Sequence, residues 1–284
     1  MRLVRGVLLA AALLAVAWPV GPAGSARAAA GPVALGLHAA TTGVAPGGTT
    51  TLLVHFRLER GWHLYWINPG DSGLPPDLRW SLPAGWRAGP PTWPVPQLKE
   101  SEAGRSLAHE EELLLAVPLT APADARPGEE VEIRLSADWL ACREACVPGE
   151  GRATLRLAVG ERPKADRRGA RLWKRLQRSL PLPAPSGEWW AVLDSDSLCL
   201  TGPAAGLPAR VRLLPEVPGW LDETGGAWSI GSINAQWRQA RADFGEAPPD
   251  TLRALLVDLE RPRRAWRLVL PLEQSPASVD KQDP

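Results

Sequence analysis

The sequence predicts an all-β protein: an antiparallel β-sandwich, a short helical connector, and a second, smaller β-rich domain. Three observations predict it. Apolar side chains recur with period two along several segments. Thirty prolines and 27 glycines in 284 residues break the chain too often for long helices. Apolar residues at 45% and charged residues at 22% suit a chain that buries a core, which excludes wholesale disorder and a bundle of membrane helices. The 32 Lys+Arg balance 31 Asp+Glu at a net +1, so no global field draws the chain to nucleic acid or to an anionic membrane.

The elements follow in chain order. Residues 1–30 read as a signal peptide. Arg2 and Arg5 precede the apolar run Val7 to Val20, and Ala26-Arg27-Ala28 or Ala28-Ala29-Ala30 offers a cleavage signal. The run falls short of the ~20 residues a spanning helix needs. Export to the periplasm without stable membrane insertion is therefore expected, where cysteines can form and exchange disulfides.

Residues 31–160 carry the sandwich. Leu52, Val54, Phe56 and Leu58 alternate with Leu53, His55, Arg57 and Glu59. Leu113, Leu115, Val117 and Leu119 repeat the pattern, as do Val131, Ile133, Leu135, Ala137 and Trp139, and finally Leu155, Leu157 and Val159. Each run reads as a strand with one buried face. Residues 161–187 form the connector: Leu172, Leu176 and Leu180 recur every fourth position beside Trp173, and Pro181 closes the helix. Residues 188–275 return to strands, most clearly Thr251–Glu260 and Ala265–Glu273 around an Arg261-Pro262-Arg263 turn. Residues 276–284 form a polar tail.

Cys142 and Cys146 stand between two strand patterns. On one continuous strand they would lie ~13 Å apart, whereas a disulfide needs Cα atoms within about 4.4–6.8 Å. If the thiols pair, Arg143-Glu144-Ala145 must turn the chain back. Three readings of the pair stay open on spacing alone. A structural staple of so short a loop contributes only about 2 kcal/mol, against about 3 for fifteen residues. A redox-active dithiol benefits from a short exposed loop. A metal site would use both thiolates, which suit Cu(I) or zinc.

The surroundings favour the redox reading. Gly61-Trp62-His63-Leu64-Tyr65-Trp66-Ile67-Asn68-Pro69-Gly70-Asp71-Ser72-Gly73-Leu74-Pro75-Pro76 is followed by Trp80, Leu82-Pro83-Ala84-Gly85-Trp86 and Trp93-Pro94-Val95-Pro96. With Trp139-Leu140-Ala141-Cys142 and Cys146-Val147-Pro148, this resembles the periplasmic N-terminal domain of the thiol:disulfide interchange protein DsbD, in the ScsB-like branch associated with metal tolerance.

The resemblance covers about residues 31–160; residues 161–275 resemble, less closely, the second periplasmic segment of some relatives. It implies an immunoglobulin-like sandwich carrying one exchangeable disulfide and no organic cofactor. Electrons would arrive from a membrane-embedded thiol reductase and leave to a periplasmic thioredoxin-like protein. Cys146 would attack and Cys142 resolve. Tyr65 and Trp66 would shield the sulfurs, under a cap running from Lys99 to Glu111 that includes His109. The chain departs from the family in three ways. Three residues rather than five separate the cysteines, the cap reads Ser106-Leu107-Ala108-His109 where tyrosine beside glycine is usual, and the membrane and thioredoxin-like domains are absent from this sequence. The competing class is a non-catalytic module that binds copper or a protein partner and is merely stapled by its disulfide.

Other signals carry less. Gly70-Asp71-Ser72-Gly73 matches a serine-protease tetrapeptide, but a double-barrel protease needs its His and Asp before that serine, so a turn is the better reading. The tryptophans at 62, 66, 80, 86 and 93 suit packing or shielding more than sugar stacking. His55, His63 and His109 show no regular ligand spacing. Cys199 alternates within Ser197-Leu198-Cys199-Leu200 and reads as a buried free thiol.

Overall fold

The computed structural model describes residues 31–101, 104–222, 225–242 and 246–275. The expected signal peptide and the polar tail lie outside the described residues.

Eleven strands build the sandwich: β1 (Val33–Ala39), β2 (Gly43–Val44), β3 (Thr49–Leu58), β4 (His63–Gly70), β5 (Asp77–Ser81), β6 (Arg87–Ala88), β7 (Gln97–Ser101), β8 (Gly104–Glu110), β9 (Glu112–Thr120), β10 (Glu130–Cys142) and β11 (Cys146–Val159). One sheet runs β1-β3-β9-β6; the other runs β2-β11-β10-β4-β8-β7, with β5 also pairing β10. The alternation of the sequence becomes the packing between them. Leu35, Leu37, Leu52, Val54, Phe56, Leu113, Leu115 and Leu119 of the first sheet meet Ile133, Leu135, Ala137, Trp139 and Leu157 of the second.

Two of these strands are buried on both faces, where the sequence suggested one. Helix α1 (Arg167–Gln177) is the reason. Its N-terminus is capped by the Asp166 carboxylate, which accepts from the amides of Arg168 and Gly169 at 3.0 and 2.7 Å. The helix lays Leu172 and Leu176 on Leu53, Leu114 and Ala116, the outer face of β3 and β9. Arg175 reaches Glu112 at 3.3 Å, and the other Glu112 oxygen meets His55 Nε2 at 2.9 Å. The expected connector is thus also a cover for the first sheet. Gly169 allows the contact, because a Cβ there would run into the Ala39 carbonyl.

Eight strands follow: β12 (Leu182–Pro183), β13 (Trp190–Leu193), β14 (Ser197–Pro203), β15 (Val211–Pro215), β16 (Ala227–Ile230), β17 (Asn234–Ala240), β18 (Thr251–Asp258) and β19 (Ala265–Gln274). They join in the order β15-β18-β19-β13-β14-β17-β16, with β12 beside β19. The two ends of this sheet share one core: Leu198, Leu200 and Trp237 meet Leu213, Leu252, Leu256 and Trp266. The expected β18–β19 hairpin is present, its turn held by the Asp258 carboxylate on the amides of Glu260 and Arg261. Cys199 is free but only half-buried, on the strand face opposite Leu198 and Leu200, which corrects the expectation of a buried thiol.

A smaller cluster joins the sandwich to this C-terminal unit. Trp66 of β4 and Leu107 of β8 pack with Leu214, Leu255, Val257 and Ala265. At the far edge of the sandwich, β11 pairs β2 at Ala158 and Val159, and among the described residues its outer edge has no other ladder partner from Cys146 to Leu157. Pro148 lies in that open stretch, as the edge position of a proline requires.

The helix–sheet contact makes a prediction of unusual sign. Ala has a better helix propensity than Gly by about 1 kcal/mol, yet Gly169→Ala should destabilise by roughly 1–3 kcal/mol through overpacking. A lower urea midpoint for the variant is the expected result.

Candidate functional site

The site begins with the register of one hairpin. Glu130–Cys142 pairs with Cys146–Ala158 without a slip, so Cys142 and Cys146 face each other as the last pair. Arg143, Glu144 and Ala145 make the turn, with the Arg143 amide donating to the Ala145 carbonyl at 3.2 Å. The two sulfurs form a disulfide across a sequence separation of 4. Its halves differ in access: Cys142 is buried at 3% exposure, whereas Cys146 is exposed.

Strand β4 supplies the surroundings. Its residue His63 pairs with Cys142 on one side and Glu110 of β8 on the other. Side chains two apart share a strand face, so Tyr65 stands beside His63 over the sulfurs. The Tyr65 hydroxyl donates to Cys142 Sγ at 3.2 Å and lies 3.7 Å from Cys146 Sγ. The His63 and Tyr65 rings meet edge to face at 5.3 Å. Burial raises the Tyr65 phenol above its ordinary range, while the nearby Ser72 hydroxyl opposes that rise. The phenol therefore stays protonated and remains a donor. Burial, and then the Lys99 ammonium, hold His63 below its usual value, with Glu110 opposing; Lys99 and Glu110 are ion-paired.

The Gly70–Gly73 turn roofs this group. Gly73 has φ +103°, and a Cβ on it would overlap the Tyr65 ring. The Asp71 carboxylate accepts from the Arg105 amide at 2.7 Å, and the Asp71 amide donates to the Arg105 carbonyl at 2.9 Å. The protease-like tetrapeptide is thus a turn that carries Ser72 and Gly73 to Tyr65. At the hairpin tip the Arg143 guanidinium lies over Trp62 at 5.3 Å, turned towards that ring. Leu74, next in sequence to Gly73, and Val147, next in sequence to Cys146, are exposed apolar side chains, at 66% and 37% exposure.

The expected shielding residues separate. Tyr65 is on the sulfurs. Trp66, its neighbour, necessarily takes the opposite strand face and is buried in the cluster with Leu214, Leu255 and Val257. His109 pairs with Leu64, itself opposite Ala141, and both of those are sandwich-core residues. It is fully buried on that inward face, its Nε2 lacks a hydrogen bond, and burial pushes its pKa down to about 3. The expected cap from Lys99 to Glu111 takes the form of the β7–β8 hairpin extending the sheet from β4. The sequence offers His63 only as an isolated histidine and Ser72 and Gly73 only as parts of a turn, and points to none of them as a neighbour of the sulfurs. The period-two spacing of His63 and Tyr65 was the signal available for the first. Among the described residues, no group of three or more His, Cys, Asp or Glu is arranged to hold a metal ion.

The family model of the N-terminal domain of the thiol:disulfide interchange protein DsbD matches residues 36–158. Those residues are a DsbD N-terminal-like domain. The match spans less than half of the chain and includes both cysteines and Tyr65. Among solved structures, the N-terminal periplasmic domain of ScsB from Proteus mirabilis is similar at TM-score 0.56 and 15% identity, covering 86% of this chain and 94% of that one. At that identity the likeness is one of fold, and it extends past the sandwich. A conserved domain protein from Bacillus anthracis aligns at TM-score 0.23 and 9% identity, covering 83% of this chain and 79% of its own. No curated protein matches the sequence.

Two predictions follow from this geometry. In the reduced DsbD-like domain, a phenol donating to a Cys142 thiolate is a charge-assisted bond worth about 1.5–3 kcal/mol. Tyr65→Phe should therefore leave about ten- to a hundredfold less Cys142 thiolate at a pH below the thiol's pKa, read from the ultraviolet thiolate absorbance during titration.

The second concerns acid. His109 titrates near 6.5 when unfolded and at about 3 when folded, and His38 is likewise lowered to about 4, by burial and then by Arg168. Below pH 6.5 the unfolded chain binds more protons than the folded one, so stability falls as pH drops from 6.5 towards 4. His109 alone should account for a loss on the order of a few kcal/mol. Urea midpoints measured across that window should fall, and His109→Gln should flatten the slope.

Proposed function

We propose that this protein is an exported thiol–disulfide exchange component that carries reducing equivalents on Cys142 and Cys146. The observation that supports this reading is the unequal access of the two sulfurs: Cys146 is exposed, while Cys142 is buried beneath the Tyr65 hydroxyl. An attacking thiolate must reach a partner's disulfide, and a resolving thiolate must stay within reach of the first sulfur.

In the reduced protein, the Cys146 thiolate attacks one sulfur of a partner disulfide. A bond forms between the two proteins, and the partner's other sulfur leaves as a thiolate. Cys142, deprotonated and stabilised by Tyr65, then attacks the Cys146 sulfur. The intramolecular disulfide closes, the mixed disulfide breaks, and the partner departs as a dithiol with two electrons gained. No organic cofactor is required, because the sulfurs hold the electron pair.

Family membership of the domain suggests both ends of the route: a membrane-embedded thiol reductase as donor and a thioredoxin-like protein as acceptor, in the periplasm. The sequence resemblance to the ScsB-like branch suggests a link with metal tolerance.

Equilibration of the mature protein with dithiothreitol or glutathione tests the reading. The Cys142–Cys146 potential should lie above about −300 mV, where exchange-active disulfides fall. Cys142→Ser should trap a mixed disulfide with a thioredoxin-like partner, and Cys146→Ser should abolish exchange while leaving the melting temperature nearly unchanged. A potential well below −300 mV would leave a structural staple.

A further inference from the structure

The functional reading leaves the C-terminal unit without a task, and one buried side chain supplies it. Asn68 of β4 is 0% exposed. A buried amide is costly unless its hydrogen bonds are made. Both ends of this one are engaged. Nδ2 donates to the Pro215 carbonyl at the end of β15, at 2.8 Å, across 147 residues of sequence. Oδ1 accepts from the Gly70 amide at 2.9 Å. One side chain thus ties the C-terminal unit to the start of the turn that roofs the disulfide.

The contacts run on without a gap. Gly70 takes φ +86° against the Arg105 carbonyl, 2.6 Å from where a Cβ would stand. Asp71 is clasped to the Arg105 backbone by two bonds. Ser72 approaches the Tyr65 hydroxyl, and Gly73 lies flat against the Tyr65 ring. The phenol ends on Cys142 Sγ. Apolar packing of Trp66 and Leu107 on Leu214, Leu255 and Val257 supplies adhesion across the same contact, but it is non-directional. The Asn68 bonds are directional and set where the turn begins.

We propose that Asn68 is a positioning residue for the redox pair: through it the C-terminal unit holds the Gly70–Gly73 turn, and hence the Tyr65 hydroxyl, over the sulfurs. The inference rests on the exchange reading and gives residues beyond the sandwich a role in tuning the Cys142 thiolate. Asn68 itself touches neither sulfur. Its influence passes through Tyr65, so it should vanish when the phenol cannot donate.

The test uses the mature full chain in four forms: wild type, Asn68→Ala, Tyr65→Phe and the double variant. Two quantities are read in each, the thiolate titration of the reduced protein and the rate of disulfide reduction by dithiothreitol. Asn68→Ala should move the titration in the same direction as Tyr65→Phe and change the reduction rate by about fivefold, the equivalent of one hydrogen bond. The double variant should match Tyr65→Phe alone. Val257→Ala, which thins the same contact without touching a hydrogen bond, should lower the melting temperature and leave both readings alone.

Should Asn68→Ala not fold, Asn68→Ser keeps an acceptor for the Gly70 amide, drops the bond to Pro215, and gives the same readings. A folded Asn68 variant with wild-type titration and rate overturns the proposal, as does an effect that adds fully to that of Tyr65→Phe. If dithiothreitol fails to reduce even the wild type, the exchange reading falls and this inference with it. Normal reduction of wild type and variant alike removes only the positioning role.

Discussion

The register of the β10–β11 hairpin is the constraint on which the rest depends. Thirteen consecutive pairs, ending at Cys142 and Cys146, leave the two sulfurs nowhere to be but opposite each other. A slip of one residue would send every side chain on one strand to the other face. Ile133, Leu135, Ala137 and Trp139 would then leave the core, so the apolar burial that stabilises the sandwich also fixes the chemistry at its end. The disulfide adds little to such a loop. What the hairpin gains from it is reactivity at a defined place.

Strand β4 does the remaining work by dividing its two faces between two tasks. His63 and Tyr65 face the sulfurs, while Leu64 and Trp66 face inward, the first to the sandwich core and the second to the C-terminal unit. A single backbone therefore couples the electrostatic surroundings of the cysteines to a contact formed by residues far along the chain. Beyond Trp66 the register of β4 against β8 shifts before it resumes at Gly70–Ser106, and in that interval the Asn68 side-chain amide bonds to Pro215 and Gly70.

Much of this was legible in the sequence because period two is a local property. The strands, the helix bearing Leu172 and Leu176, and the turn at Arg143–Ala145 that pairing of the cysteines demands all follow from patterns within a dozen residues, whereas Tyr65 is singled out only by the family resemblance. What was not legible depends on partners far away. Leu53 and Leu114 look like solvent-facing positions until the helix covers them. Asn68 looks like a turn residue until Pro215 arrives beside it. Gly169 reads as a weak point in a helix and is instead a point of contact. Tyr65 and Trp66 part, one to the sulfurs and one to the C-terminal unit, for a reason the sequence does contain: neighbours on a strand point apart.

The open edge of β11 bears on how such a protein behaves when crowded. An unpaired strand edge recruits other strands, and here, among the described residues, that edge begins at the exposed half of the disulfide, Cys146. Edge-to-edge pairing of two copies would bring their reactive cysteines together and make a chance encounter permanent. Pro148 has no amide hydrogen to offer an incoming strand, and Glu150, Arg152 and Arg156 set charges along the same stretch. The strand that carries Cys146 therefore also carries a proline and charges that disfavour pairing with a second copy of itself.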